Sequence, residues 1–185
     1  MQGTYHSFFK HYHLTFDDKQ GKQEFRESIN LIFERNGVAF ELKETGMIER
    51  LLNPVLAAAL QATKFQTADA ILNGMLNESV SKIRNPRAAI RKEALERLWD
   101  AWERLKSTKD PDKKTSTKII LDATSTEPVF REVLEYDAKQ VTDIGNKFQI
   151  RHTEKDKVSI TDKDQVDYLF HRLFGLIALI LAKTG

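Results

Sequence analysis

The sequence predicts a mainly α-helical fold, a bundle of five to seven helices with one small β-hairpin, and three observations predict it. Apolar residues recur three and four positions apart through most of the chain, the spacing of one helix face. Helix openings, a polar residue followed by proline, stand at Asn53-Pro54, Asn85-Pro86 and Glu127-Pro128. The 185 residues are 41% hydrophobic and 30% charged, enough to bury one core without staples. Residues 1–185 are therefore expected to form a single helical domain, with residues 1–17 as a peripheral segment.

The first helix is expected from Asp18 to Asn36, where Phe25, Ile29, Ile32 and Phe33 share a face and Asn36-Gly37 supplies a stop. Val38, Phe40 and Leu42 then alternate with smaller or polar residues. A Glu44-Thr45-Gly46 turn and a return from Met47 to Leu51 complete a hairpin. Asn53-Pro54 opens a short Ala- and Leu-rich helix to about Thr63. A third helix runs from near Thr67 with Ile71, Met75, Val80 and Ile83 inward, and ends before Asn85-Pro86. That pair launches the clearest helix, with Ile90, Ala94, Leu98, Trp102 and Leu105 on one face, widened by Leu95 and Trp99. Its charged face, with Lys92, Glu96, Glu93, Arg97, Asp100 and Arg104 in pairs four apart, reads as solvated.

Residues 107–118 are polar and aperiodic, so a loop is expected, and Lys109, Lys113, Lys114 and Lys118 read as solvent-facing charges on it. A short helix near Ile119–Ala123 follows. Glu127-Pro128 opens a longer one whose stripe is Phe130, Val133, Leu134, Val141, Ile144 and Phe148. Gly145 costs that helix about 1 kcal/mol against alanine and so marks an end or a close contact. Residues 151–160 form a charged connector in which Val158 and Ile160 suggest an extended piece. Thr161 and Asp164 resemble a capping box at the start of the closing helix, which is apolar around most of its circumference from Leu169 onward.

Composition also narrows function. With 29 basic and 27 acidic side chains the net charge is only +2, so no global field draws the chain to nucleic acid, although a local basic patch remains open. The absence of cysteine excludes disulfides, thiolate nucleophiles and cysteine-ligated metals, and a cytoplasmic location is expected. MQGTYHSFFKHYH lacks the basic-then-apolar order of a secretory signal. The run Leu173 to Ala182 is about ten residues where roughly twenty span a bilayer, so it reads as a buried helix and no membrane is expected as a partner. P-loop, Rossmann, zincin and nucleophile-elbow motifs are absent.

Histidine is the side chain best suited to proton transfer near neutral pH. His11 and His13 could face one way on an extended segment, but nothing nominates further ligands, so no metal is expected. The segment Gly145-Asn146-Lys147-Phe148-Gln149-Ile150-Arg151-His152-Thr153-Glu154 concentrates two cations, an amide, an imidazole and a carboxylate where a helix becomes a loop. Arg151 could hold a phosphate, His152 transfer a proton and Glu154 orient the imidazole. The plainer account makes them solvated loop charges and a packing histidine. Tyr168 and His171 share a face of the closing helix, with Arg172 beside them.

Two stretches, EALERLWDAWERLKS and IGNKFQIRHTEKDKVSITDKDQVDYLFHRLFGLIALIL, resemble bacterial helical domains of the HEPN superfamily, including those of abortive-infection and other phage-defence proteins. The resemblance is loose over residues 25–182 and closer over the C-terminal forty. It lies in a long helix, a polar loop bearing Arg-His and an apolar closing helix. It implies a metal-independent endoribonuclease that acts on RNA and dimerises, an Arg and a His of each chain lining one cleft; a homodimer through the closing helices, with no cofactor, is expected. On this chain the resemblance makes His152 the general acid or base, Arg151 and Lys147 the phosphate-holding cations, and Glu154 the orienting carboxylate. Asn146, His171 and Arg172 would be binding residues. Arg151 is followed at once by His152, unlike the spaced pair of active members; Lys147, with four residues between it and His152, stands where the spaced guanidinium would be. A second expectation is a noncatalytic dimerisation, sensor or protein-interaction module of a bacterial defence system.

Overall fold

The computed structural model describes residues 3–14, 18–52, 54–63, 65–148, 150 and 157–184. They fall into two compact units, residues 1–51 and Leu52–Gly185.

The first unit opens with a hairpin that periodicity did not predict. Strands β1 (Gly3–His6) and β2 (His11–Leu14) are antiparallel, with Tyr5 opposite Tyr12 and His6 opposite His11. The turn between them contains no glycine or asparagine, and Lys10 takes the left-handed conformation instead (φ 53°). Cross-strand packing of Tyr5 on Tyr12, ring centroids 5.1 Å apart, supports the pairing. Helix α1 (Asp18–Arg35) follows as expected, and Gly37 turns the chain at φ 62°. The expected hairpin is β3 (Phe40–Leu42) paired with β4 (Ile48–Arg50). Asn30 of α1 clasps it: its Nδ2 donates to the Leu42 carbonyl (3.1 Å) and its Oδ1 accepts from the Leu42 amide (2.7 Å). No described residue of α1 is buried, and Phe25 and Ile32, expected inward, are exposed. A single short hairpin covers too little of the helix's apolar face.

The second unit is an all-α bundle: α2 (Pro54–Ala62), α3 (Ala70–Ile83), α4 (Ala88–Leu105), α5 (Lys113–Thr124), α6 (Pro128–Lys147) and α7 (Lys163–Thr184). Together with α1 they make seven helices among the described residues, so the fold is mainly α with small hairpins. Helix α4 packs on α3 and α7; α5 packs on α6 and α7; α6 also touches α7. Leu56 and Leu60 of α2 join the same core. Burying each of Leu72, Leu76, Leu98 and Phe170 stabilises the fold by about 1.5–3 kcal/mol relative to exposure.

Several boundaries and faces differ from expectation. Helix α4 begins at Ala88, because the Asn85 side chain accepts from the Arg87 amide (2.9 Å) and turns the chain before the helix starts. On α3 the buried face is Leu72, Leu76, Ser79 and Ile83, one position round from the Ile71–Met75 stripe, and Ile71 is exposed. The charged side of α4 is not simply solvated. Arg97 reaches Glu78 (2.7 Å), Arg104 reaches Asp69 (2.6 Å) and Glu93 meets Lys82 (3.0 Å), so these side chains tie α4 to α3. Helix α5 starts at Lys113, not near Ile119, because the Asp112 carboxylate accepts from the Thr115 amide (2.8 Å) and caps it. On α6, Phe130 and Val133 are exposed while Leu134, Ala138 and Val141 face inward. The closing helix is opened by Asp162, whose side chain accepts from the Asp164 amide (2.7 Å), and not by Thr161.

Other expectations hold. Glu127 caps α6, its carboxylate accepting from the amides of Val129 (3.0 Å) and Phe130 (2.6 Å) ahead of Pro128. Gly145 is a close contact: a Cβ there would fall on Trp99 Nε1. Val158 forms a bridge with Phe148, which gives the extended piece. Helix α7, at 22 residues, is long and apolar enough to cross a membrane by length and composition alone, which the run Leu173–Ala182 understated. In the bundle its Val166, Leu169, Phe170, Leu173, Phe174, Leu176, Ile177 and Ile180 are buried.

Candidate functional site

The C-terminal end of α6 carries the first residues predicted to act. Asn146 and Lys147 are both exposed there. The chain beyond is tied back to the helix end. The Val158 amide donates to the Lys147 carbonyl (3.2 Å), Phe148 and Val158 form a parallel bridge, and the Ile150 amide donates to the Phe148 carbonyl (2.8 Å). Ile150 is buried, so an apolar anchor follows the two exposed polar residues. Arg151, His152 and Glu154 lie outside the described residues.

His171 and Arg172 are held by the core of the bundle. Arg172 donates from Nε (3.2 Å) and Nη2 (2.7 Å) to Asp137 Oδ1, and that hydrogen bond raises the guanidinium further above its ordinary value. Asp137 lies ten residues before Lys147, roughly 15 Å along the helix axis. Arg172 thus bridges α6 and α7 well away from the exposed helix end. His171 follows Asp167 by four positions, on the same face of α7, and its Nε2 is buried. Asp167 faces Arg91 of α4, at 3.8 Å from Nε. Arg91 is only 4% exposed and also donates from Nη1 to the carbonyls of Asn85 (3.3 Å) and Pro86 (2.8 Å). Arg91 and Asp167 did not stand out in the sequence, where each reads as an ordinary charge of an amphipathic helix.

A concavity lined by charged side chains opens between α5 and α6, with a volume of about 700 Å³. Lys114 and Lys118 stand four apart on α5, and Arg131, Glu135 and Lys139 four apart on α6, so each helix turns one charged row into the cleft. Lys106 forms part of its lining from the end of α4. Its ammonium lies 2.6 Å from Glu103, 3.3 Å from Thr142 Oγ1 and 5.4 Å from the centre of the Trp102 ring. Thr142 Oγ1 also accepts from Trp102 Nε1 (3.2 Å) and donates to the Ala138 carbonyl (2.8 Å), which uses all its hydrogen-bonding capacity. Burial pushes the Glu103 carboxyl up, but hydrogen bonds from Lys106 and Lys113 outweigh it and hold the group below the ordinary glutamate value. The lysines expected on a loop are therefore helical, apart from Lys109, and three of them line a cavity.

Among the described residues no group of three or more His, Asp or Glu side chains is placed to hold a metal. The fold and this site define a mainly α-helical bundle with a basic cleft and an exposed cationic helix end. No family model, curated protein or solved structure matches the chain.

Proposed function

We propose that the chain is a HEPN-like RNA-cleaving domain of the defence-associated type, working without a metal as a homodimer. The observation that carries this reading is the exposed Asn146-Lys147 end of α6, to whose Lys147 carbonyl the Val158 amide is tied (3.2 Å). A cation on a helix end and an imidazole in the adjoining segment are the groups a metal-free phosphodiester cleavage requires. In that reaction the ribose 2′-oxygen attacks the neighbouring phosphorus and loses its proton to a base. The bond to the 5′-oxygen breaks as an acid returns a proton to it, leaving a cyclic phosphate and a free 5′-hydroxyl. His152 acts as acid or base, Glu154 holds its ring, and Lys147 and Arg151 stabilise charge on the phosphoryl oxygens. Lysine serves there as a point charge, without the bidentate geometry of arginine.

The test is cleavage of varied single-stranded and structured RNAs by the full chain in EDTA, with His152→Ala alongside. The expected result is cleavage by the wild type, reduced about 100-fold or more in the variant. Equal inactivity of both would sink the catalytic reading. Self-association lost on Phe130→Glu would then favour a noncatalytic dimerisation module, for which the exposed Val129, Phe130, Val133 and Tyr136 on α6 are the supporting observation.

A further inference from the structure

The cleft between α5 and α6 collects more positive charge than its structural role requires. Two features set it apart from a solvated helix surface. Lys113 and Lys114 occupy the first turn of α5, which contains no acidic residue, although the partial positive charge of a helix N-terminus disfavours cations there. Asp112 caps the helix and offsets part of this cost. The second feature is pairing. Arg131 is held by Asp122 (2.7 Å) and Glu135 (3.0 Å), and Lys106 and Lys113 share Glu103. Lys114, Lys118 and Lys139, which all line the cavity, make no ion pair among the described residues. Three lysines from two helices thus line one concavity without an ion pair among the described residues, alongside a lysine that is 7% exposed and fixed by Glu103 and Thr142; the lining's carboxylates are Glu135, which is spent on Arg131, and Asp143.

We infer that this cleft binds a small ligand carrying two or more adjacent phosphoryl groups. Closely spaced negative charges are the complement of lysines that approach from opposite walls, and charge-assisted N–H to phosphate contacts are among the strong polar interactions. The volume is that of a pocket for a small organic ligand. A single-stranded RNA would instead need an aromatic platform for its bases. The lining supplies none: its uncharged members are threonines, Leu121 and Ala138. The inference stands apart from the cleavage reading, since its cations lie on α5 and the body of α6 and its test reads binding alone.

The experiment is isothermal titration of the full chain at low ionic strength with three probes: ATP, inorganic tripolyphosphate, and an unstructured RNA of about ten nucleotides. Saturable binding of ATP or tripolyphosphate is expected, weakened about tenfold by Lys118→Ala and again by Lys139→Ala. Lys163→Ala, exposed at the start of α7 and outside the cavity lining, should bind as the wild type does. Preference for ATP would assign the ligand to nucleotides, and equal binding would assign it to the phosphate chain itself; both uphold the site. Both lysines are exposed, so each variant should melt within about 2 °C of the wild type, which keeps a loss of binding distinct from a loss of folding. Failure of both phosphate probes to bind, binding undiminished in the variants, or binding of the RNA alone would overturn the inference.

Discussion

Gly145 has no side chain, and α6 uses that to lie directly against the edge of Trp99. The indole Nε1 is buried there without a hydrogen-bond partner among the described residues, so the contact is one of shape. Replacing Gly145 with alanine would ordinarily stabilise a helix by about 1 kcal/mol. Here the added methyl meets a ring locked in the core, and overpacking of that kind costs about 1–3 kcal/mol, so a lower urea midpoint is expected. The same substitution in a Trp99→Phe background should cost less, and equal losses in both backgrounds would refute the contact. Asp69 illustrates a different residue-scale effect. The hydrogen bond from Arg104 holds its carboxyl below the ordinary value of 3.8; burial opposes this, and the Leu72 and Ile71 amides assist. A carboxylate with a depressed folded-state pKa stabilises above its unfolded pKa, and that contribution fades as pH falls through the folded value. Asp69→Asn keeps the capping oxygen and loses the charge, so its stability deficit, measured by urea titration, should be full near neutral pH and shrink below about pH 4.

At the scale of elements, most helices were legible because each must bury one face, and that requirement writes a 3.6-residue period into the chain. Trp99 and Trp102 on α4, and the Glu127-Pro128 opening of α6, are examples in which pattern and structure agree. The first hairpin was not legible. Its strands have four residues each, its turn relies on a lysine in the left-handed region, and its aromatics remain exposed, so no burial pattern marks it. Helix α5 extends further than its apolar pattern predicts because its first two turns are lysine, threonine and serine, whose only strong signal is the Asp112 cap. The four-residue spacing of Lys114 and Lys118 was visible, but its meaning depends on α6, whose Lys139 arrives from a distant part of the chain. Of the predicted site residues, Asn146 and Lys147 stand exposed at a helix end, while Arg172 on the closing helix is spent on Asp137. Sequence could not separate those cases, since pairing across helices leaves no local mark.

For the whole molecule, the division into two units governs stability. Every buried hydrophobic residue described lies at Leu56 or beyond, and the unit formed by residues 1–51 contributes none. A chain reduced to residues 52–185 is therefore expected to keep its helical circular dichroism and a cooperative melt, within about 4 °C of the intact protein. A broad transition, or loss of helicity in the second unit, would show that the first supplies part of its support.

The position of α7 in chain order has a consequence for how the bundle is made. Helices α3 and α4 are neighbours in sequence and hold each other with ion pairs, so they can form a local hairpin early, as low sequence separation favours. Their apolar surface is finished only by α7, which emerges from the ribosome after some sixty further residues that follow α4. Until α6 and then α7 follow, the apolar face of α4 lacks part of its cover, Trp99 and Trp102 waiting for Gly145 and Thr142 of α6, and the growing chain presents a sticky face during synthesis. Chaperones that recognise exposed apolar surface would have their longest opportunity in that interval, and the docking of α7 would end it.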